Sequence, residues 1–369
     1  MGQPDVIVVG GGLVGAACAR FLALRKLSVH ILDSGDEPGA ASPAAAGMLA
    51  PLAETAAENP LLRLHVRGRD MYHALAPDLK EETGIDIGLW TEGILHVALS
   101  PDEVGRLTDE IAWQRQMGFN VDWLAQDDIR NRYPSISPEA LGAKLAPEDG
   151  ALEPVPLLKA FLASATRHGA SLTRGVRVEA LLTEHGRTVG VRAGSETFTA
   201  GAVVLAAGAW SGRIGGLPRP LSVEPIRGQM IAVDWPTDEP PAIALAGSGY
   251  VLHRNGDALA GTTMEYTGFE TSVTPEGMAQ VRHAMRSIYP TLEGATVKRS
   301  WAGLRPGTPD GQPIVGRDAE SEGLWYATGH GRNGVLLAAI TGEVIGQLFA
   351  GEAVEHDLSP IDPGRYWRT

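Results

Sequence analysis

The stretch Asp5-Val-Ile-Val-Val-Gly-Gly-Gly-Leu-Val-Gly15 decides the fold, because an apolar run passes directly into a glycine-rich turn. Four consecutive apolar residues after Asp5 are typical of a strand that is buried on both faces of a sheet. Residues 16–24 then predict a helix, and residues 28–32 predict a second strand that ends at Asp33. This β-α-β order implies a parallel sheet.

Three glycines of this turn, Gly10, Gly12 and Gly15, have the G-x-G-x-x-G spacing of dinucleotide-binding turns. The first glycine allows the tight turn, the second lets the backbone approach a pyrophosphate, and the third lets helix and strand pack closely. Asp33 stands about 20 residues further on, where a carboxylate binds the ribose. The alternative is a glycine-rich turn in an unrelated α/β protein. Asp33 disfavours NADP but does not separate FAD from NAD.

Segments of parallel and antiparallel pattern alternate along the remaining chain. Apolar runs at 202–206 and 324–328 resemble the first strand, and residues 334–349 predict a closing helix. Other helices are predicted at 59–83, 101–117, 154–168 and 275–288, and antiparallel strands or hairpins at 94–99, 176–182, 189–193, 197–199 and 221–263.

This interleaving predicts an α/β fold in which a discontinuous dinucleotide-binding domain is interrupted twice. The first domain is expected to comprise residues 1–85, 146–218 and 300–369. The second, built on an antiparallel sheet, is expected to comprise residues 86–145 and 219–299 and to bind the substrate.

Composition narrows the classes of function. The 369-residue chain has a formal net charge of −13 and no dense Lys/Arg block, so we expect no nucleic-acid partner. Cys18 is the only cysteine, and the ten histidines lack ligand spacing, so we expect neither a disulfide within the chain nor a metal site. The N-terminus has no signal-peptide pattern, and no apolar run reaches the roughly 18 residues of a membrane helix. We therefore expect a cytoplasmic protein without membrane insertion; whether it is a homo-oligomer is left open.

Five blocks of sequence lie in order along the chain: residues 5–49, 203–211, 261–265, 300–306 with Asp310, Gly311 and Pro313, and 328–337. Together they resemble the glycine oxidase, sarcosine oxidase and D-amino-acid oxidase family of FAD-dependent amine oxidoreductases. The segment Ala44-Ala-Ala-Gly-Met-Leu49 resembles the glycine oxidase form in particular. The resemblance implies a Rossmann-like FAD-binding domain and a discontinuous second domain on an antiparallel sheet, with the substrate between the flavin and that sheet.

The resemblance also implies which residues hold FAD, and that FAD is bound non-covalently, because no cysteine occupies the later segment in which some relatives form a bond to flavin. The expected FAD contacts are Gly10, Gly12, Leu13, Val14, Gly15, Asp33, Ser34, Ser42, Ala45, Ala46, Gly47, Met48, Val178, Ala207, Gly208, Trp210, His330, Gly331, Arg332, Asn333, Gly334, Val335 and Leu336. Residues 329–334 form a second G-x-G-x-x-G, but the chain ends before a further strand and acidic residue can complete an NAD site.

Arg305 matches the family arginine that binds the substrate carboxylate. A planar guanidinium can pair with both carboxylate oxygens and so fixes orientation as well as charge. The alternative is a surface arginine in a salt bridge, although the neighbouring residues 301–304 and 306–307 favour a buried turn. Tyr250 matches a tyrosine that binds the same carboxylate; the alternative is a core tyrosine. Arg332 is expected to contact flavin or substrate.

Met48, Met264 and Gly331 are expected to line the substrate pocket, although methionine commonly serves as core filling. Many relatives carry an aromatic residue at the position of Gly331, so we expect a roomier pocket here.

The resemblance implies the oxidation of a small amino acid (glycine, sarcosine or a small D-amino acid) to an oxoacid and ammonia. Hydride would pass to flavin N5, and oxygen would then reoxidise the flavin to give hydrogen peroxide. A dehydrogenase that delivers electrons to a quinone or carrier is the nearest alternative. An NAD-dependent dehydrogenase, an RNA-modifying flavin domain and a non-catalytic interaction protein are further alternatives, and a place in thiamine biosynthesis is left open.

Overall fold

A computed structural model describes residues 2–35, 37–235 and 242–366. Its strands are β1 Val6–Val9, β2 Val29–Asp33, β3 Met48–Leu49, β4 Ile94–Ala98, β5 Asp122–Ala125, β6 Gly142–Ala146, β7 Gly150–Ala151, β8 Ser171–Arg174, β9 Ala180–Glu184, β10 Arg187–Ala193, β11 Glu196–Thr199, β12 Ala202–Leu205, β13 Glu224–Asp234, β14 Ile243–Ala246, β15 Gly249–Arg254, β16 Asp257–Gly261, β17 Val297–Gly307, β18 Ile314–Arg317 and β19 Leu324–Thr328.

The α-helices of the described residues are α1 Leu13–Leu24, α2 Ala41–Ala44, α3 Leu62–Thr83, α4 Pro101–Gln116, α5 Gln126–Arg132, α6 Pro154–Arg167, α7 Pro275–Ile288 and α8 Gly334–Ala350. Short 3₁₀ turns at Gly208–Arg213 and Gly331–Asn333 stand next to the site described below.

A six-stranded sheet in the order β18-β19-β12-β1-β2-β8 forms the first half of the fold. Its pairs are parallel, except that β18 runs antiparallel to β19. All four residues of β1 are buried, because helices α1, α3, α6 and α8 cover one face and a second apolar cluster covers the other. The predicted β-α-β unit and parallel sheet are confirmed, as is the α/β fold class.

An eight-stranded sheet in the order β17-β13-β16-β15-β14-β4-β6-β5 forms the other half. It is antiparallel except for the parallel pair of β4 and β14. Helix α7 packs on this sheet through Val281, Met285 and Ile288, which are buried in its core. The sheet matters for function because β15 carries Tyr250 and β17 carries Arg305.

Three local predictions were wrong. Residues 300–306 form part of strand β17 and not a turn, since β17 pairs with β13 over its whole length; Pro306 is tolerated because β17 is an edge strand. Strand β8 was missed, and residues 176–178 are not a strand. The third helix begins at Leu62, beyond Pro60, and not at Asn59.

The expectation that no segment has the length and apolarity of a membrane helix also needs correction. Residues 331–350 pass that test by length and composition, with a mean hydropathy of 1.4. However, 61% of this segment is buried inside the protein, and α8 packs against α1 and α3. Helix α8 is therefore a core helix of the first half of the fold.

The predicted domain boundaries stay a prediction. The boundary at residue 300 falls within β17, which pairs along its whole length with β13 of the eight-stranded sheet. Within the predicted strand-and-turn region 221–263, residues 236–241 lie outside the described residues, as do residues 1, 36 and 367–369 of the predicted first domain.

Candidate active site

A cavity of about 760 Å³ runs from the glycine turn after β1 to the face of the eight-stranded sheet. One end is lined by the turn itself and by Asp33, and the other by Tyr250 and Arg305. The cavity therefore joins the two halves of the fold, and its volume is in the range of small-molecule and cofactor sites.

The backbone leaves no room for a side chain at two glycines of the turn, Gly10 and Gly15. Gly10 has φ +102°, and a Cβ atom there would lie 2.5 Å from the carbonyl oxygen of Ala206. A Cβ atom on Gly15 would lie 1.9 Å from the carbonyl oxygen of Gly10. The Asp33 carboxylate accepts hydrogen bonds from the N–H groups of Gly11 (2.7 Å) and Gly35 (3.0 Å), which fixes it at the end of β2.

The N-termini of two helices open into the cavity. Gly12, the N-cap of α1, offers no capping side chain, and Leu13 N–H donates to the Ser42 hydroxyl at 3.0 Å. At the other helix, Asn333 and Gly334 line the cavity where α8 begins. A helix N-terminus carries about half a positive charge, so both ends favour anionic groups in the cavity.

Arg305 reaches the cavity because glycine faces it across the strand pair. A Cβ atom on Gly228 of β13 would lie 2.2 Å from Nη1 of Arg305. The guanidinium donates to the carbonyl oxygen of Thr263 at 3.2 Å and to Oγ1 of Thr262 at 2.8 Å. Within the described residues no carboxylate lies within ion-pair distance of it. Burial lowers the pKa of Arg305, yet an arginine remains charged at neutral pH.

Tyr250 is buried beside Arg305, with 5% of its surface exposed. Its hydroxyl contacts Sδ of Met230 at 3.5 Å. Burial raises the pKa of the Tyr250 phenol to about 12, so the group is protonated at neutral pH and can donate a hydrogen bond.

Arg332 forms an ion pair with Glu54, the distance between Nη2 and Oε1 being 2.6 Å. The negative charge of Glu54 raises the pKa of Arg332. The charge of Arg332 in the cavity is therefore balanced by Glu54, whereas Arg305 has no such partner among the described residues.

The structure brings most of the predicted site residues together in this cavity. Those that line it are Gly10, Gly12, Leu13, Val14, Asp33, Ser34, Ser42, Ala45, Ala46, Gly47, Met48, Val178, Ala207, Gly208, Trp210, Tyr250, Arg305, His330, Gly331, Arg332, Asn333, Gly334 and Val335. Gly15 packs beneath the turn, Leu336 is buried in the core, and Met264 lines a neighbouring cavity with 47% of its surface exposed.

Two contributors to the site carried no signal in the sequence. Glu54 follows the motif of residues 44–49 in an ordinary loop, and Gly228 stands in a strand with no motif. Both matter through contacts with residues far along the chain: Glu54 pairs with Arg332, and Gly228 makes space for Arg305.

The neighbouring cavity, of about 580 Å³, is lined by His65 of α3. The Nε2 atom of His65 is buried without a hydrogen-bond partner, and burial lowers the pKa of this histidine to about 4. In the folded protein His65 therefore stays neutral at a pH where an unfolded histidine is charged. The contribution of His65 to the free energy of unfolding is therefore fully present above pH 6.5 and is lost as the pH falls towards 4.

We expect the replacement of His65 by glutamine to remove this pH dependence. Between pH 7 and 4.5 the free energy of unfolding should fall by about 2 kcal/mol more in the wild type than in His65→Gln. The reason is that the pKa of this histidine is 6.5 in the unfolded chain and about 4 in the folded protein, so only the unfolded chain takes up a proton over most of this range. Urea unfolding at both pH values measures the difference. His73 is exposed on the same helix, so His73→Gln is the control. Equal losses in wild type and His65→Gln would contradict the assignment.

The cavity fits FAD. Gly10, Gly11 and Gly12, which have no side chains, line the cavity at a helix N-terminus where a pyrophosphate would bind, and Asp33 stands where a ribose hydroxyl would bind. A second helix N-terminus lines the cavity at Asn333 and Gly334. The same cavity thus contains a dinucleotide site and a guanidinium on a second sheet, that of Arg305. The fold and the site thus define the class of FAD-dependent oxidoreductases.

The chain belongs to the DAO family of FAD-dependent oxidoreductases, whose family model matches residues 5–348. It is 35% identical to the glycine oxidase of Geobacillus kaustophilus over 366 residues, which cover 98% of this chain and 97% of the relative. The crystal structure of a Geobacillus kaustophilus glycine oxidase superimposes with a TM-score of 0.93 and 33% identity, covering 99% of both chains. A bifunctional ThiO/ThiG protein of Trichormus variabilis is 33% identical, and the match covers 98% of this chain but 55% of that protein.

Proposed function

We propose that this protein oxidises a small amino acid (glycine, sarcosine or a small D-amino acid) to an oxoacid and the released amine, with oxygen as the electron acceptor and hydrogen peroxide as product. The released amine is ammonia for glycine or a D-amino acid and methylamine for sarcosine. The observation that carries the proposal is Arg305, a guanidinium without a carboxylate partner among the described residues, which faces the same cavity as the glycine turn. The glycine oxidases at 30–35% identity support the same reaction class.

The chain's own residues supply binding and orientation. The fork of Arg305 pairs with the substrate carboxylate, and the protonated hydroxyl of Tyr250 donates a second hydrogen bond to it. FAD would be held by Gly10 and Gly12 at the pyrophosphate and by Asp33 at the ribose. When bound, FAD supplies the acceptor for the hydride of the substrate's α-carbon.

No dedicated base is needed when the substrate binds with its amine neutral. The amine lone pair assists the departure of the hydride, and water then hydrolyses the resulting imine to the oxoacid and ammonia, or to the oxoacid and methylamine when sarcosine is the substrate. His330 lines the cavity but is buried, and burial lowers its pKa to about 3, so it stays uncharged there. The protein therefore contributes to the reaction by positioning the substrate.

Anaerobic titration of the purified holoprotein with glycine, sarcosine and a panel of D- and L-amino acids tests the proposal. We expect loss of flavin absorbance with at least one small amino acid, and peroxide and the released amine (ammonia, or methylamine from sarcosine) in equal amounts when air is admitted. A flavin that none of the amines reduces would contradict the reaction. Reduction without peroxide under air would instead indicate transfer to a quinone or carrier.

The only cysteine, Cys18, is buried in α1, where burial raises the pKa of its thiol to about 12. A protonated, enclosed thiol is a poor nucleophile. We therefore expect acid precipitation to release all the flavin into the supernatant, as for non-covalent FAD.

Space at Gly331 is proposed to admit larger substrates. Its φ is +52°, and within 4 Å of where a Cβ atom would stand there is no neighbouring atom. We expect Gly331→Phe to lower kcat/KM for D-methionine at least tenfold more than for glycine, because the ring fills the cavity. Gly331→Ala bears the same backbone strain without the ring and serves as the control. Equal losses on both substrates in Gly331→Phe would contradict the proposal.

A further inference from the structure

Two guanidinium groups and one carboxylate meet at the substrate end of the main cavity. Arg305, Arg332 and Glu54 all line it, and each interacts electrostatically with Tyr250. Arg254 also interacts with Tyr250 but lines neither cavity. Two positive charges and one negative charge leave a single net positive charge. That charge matches a ligand with one carboxylate and a neutral amine.

The ion pair also stands between the two cavities. Glu54 and Arg332 line both the main cavity and the neighbouring one, together with Tyr250 and Thr262. Their side chains are partly accessible, with 19% of Glu54 and 35% of Arg332 exposed. A substituent that extends from the substrate amine or α-carbon towards the second cavity therefore meets this pair.

The position of Glu54 is held from behind by buried polar groups. The loop of residues 50–55, here called the Glu54 loop, donates two backbone N–H groups to one oxygen of Asp149: Leu52 at 3.0 Å and Ala53 at 2.7 Å. Asp149 is fully buried and is held by Arg69 at 2.9 Å.

Buried donors also hold the carbonyl groups of the Glu54 loop. Lys144 and Gln114, both fully buried, each donate to the carbonyl oxygen of Leu52 at 3.1 Å. Nδ1 of His96 lies 3.1 Å from the carbonyl oxygen of Ala53. With its backbone held on both sides, Glu54 cannot leave Arg332 by a movement of the loop without breaking several buried hydrogen bonds, each of which is costly to lose.

We propose that Glu54 is a specificity-determining residue that restricts this site to amino acids with a single carboxylate. It does so by neutralising Arg332 and by repelling a second carboxylate of the substrate. Discrimination here comes from a repulsive element, in addition to the attraction of Arg305 for the first carboxylate. This inference rests on the proposed amino-acid oxidation and names the substrate class of that site.

The test compares sarcosine with iminodiacetate, which carries a carboxylate on the substituent that is a methyl group in sarcosine. In Glu54→Gln we expect the ratio of kcat/KM for iminodiacetate to that for sarcosine to rise at least tenfold over the wild type. Glu58 is exposed in the segment that follows the Glu54 loop and lines neither cavity, so Glu58→Gln removes an equal charge as the control. An unchanged ratio in Glu54→Gln, or an equal rise in Glu58→Gln, would overturn the proposal.

A binding measurement separates this inference from the proposed reaction. The ligands are malonate, which has two carboxylates, and acetate, which has one; neither has an amine that could be oxidised. Each is titrated into each holoprotein while the flavin absorbance spectrum is followed. We expect malonate to bind at least tenfold more tightly to Glu54→Gln than to the wild type, with acetate unchanged. If no amine reduces the wild-type flavin but malonate behaves in this way, the proposed reaction fails and the charge selection stands. Equal malonate affinity in both proteins overturns the charge selection even if sarcosine is oxidised.

Discussion

Replacement of Arg305 by alanine is expected to lower kcat/KM for the amino-acid substrate by at least about thirtyfold. The cost is about 2–5 kcal/mol, as for one lost partner of a desolvated charge pair. Gly228 leaves the space into which this guanidinium fits, and two hydrogen bonds to Thr262 and Thr263 aim it. The substrate carboxylate would lose its counter-charge, and a small amino acid offers few other groups by which to be oriented. Steady-state kinetics on the substrate found by titration measures the effect.

Two further variants separate orientation from charge. Arg305→Lys keeps the positive charge but loses the planar fork, so we expect a loss smaller than that of alanine yet clearly measurable. Arg299 lies on the same strand, exposed to solvent over the ring of Trp301, and Arg299→Ala should keep the wild-type kcat/KM. Wild-type activity in Arg305→Ala would remove the basis of the proposed substrate site.

Gly15→Ala is expected to weaken the binding of FAD. The added methyl carbon would lie 1.9 Å from the carbonyl oxygen of Gly10 and 3.0 Å from its carbonyl carbon, so the turn must move away from the helix. Both atoms belong to backbone and cannot step aside as a side chain would. We expect at least tenfold weaker FAD binding, measured as the flavin-to-protein ratio after dialysis and as the dissociation constant on reconstitution.

A graded series makes this result interpretable. In Gly12→Ala the nearest atom to the new carbon is the Ser42 hydroxyl oxygen at 3.2 Å, so a smaller loss of FAD affinity is expected. Gly105 lies in α4 with open space around it, and Gly105→Ala should bind FAD normally and gain up to about 1 kcal/mol of stability from helix propensity. Full flavin content in Gly15→Ala, with normal circular dichroism, would contradict the role of the turn.

Contiguous motifs were readable from the sequence because their physics is local. The strand, turn and helix from Val6 to Leu24 depend on neighbouring residues: an apolar run, glycines that permit a tight turn, and a helical segment. The same holds for helix α7, whose predicted bounds Pro275–Ile288 are those observed. The α/β fold class, the FAD cofactor and the family follow from such segments in their order along the chain.

The strand pairing and the charge balance of the site required the tertiary structure. The glycines and proline around Arg305 favour a turn by local preference, but pairing with β13 overrides that preference and makes these residues part of strand β17. Glu54 and Arg332 are 278 residues apart, and Gly228 and Arg305 belong to different strands. No periodicity or spacing encodes such contacts, because they arise only when the two sheets enclose a common cavity. The sequence alone predicts a dinucleotide site and, by resemblance to a family, nominates Arg305. Only the folded chain shows that Arg332 is paired with Glu54 while Arg305 has no carboxylate partner among the described residues, because the fold alone brings Glu54 within ion-pair distance of Arg332.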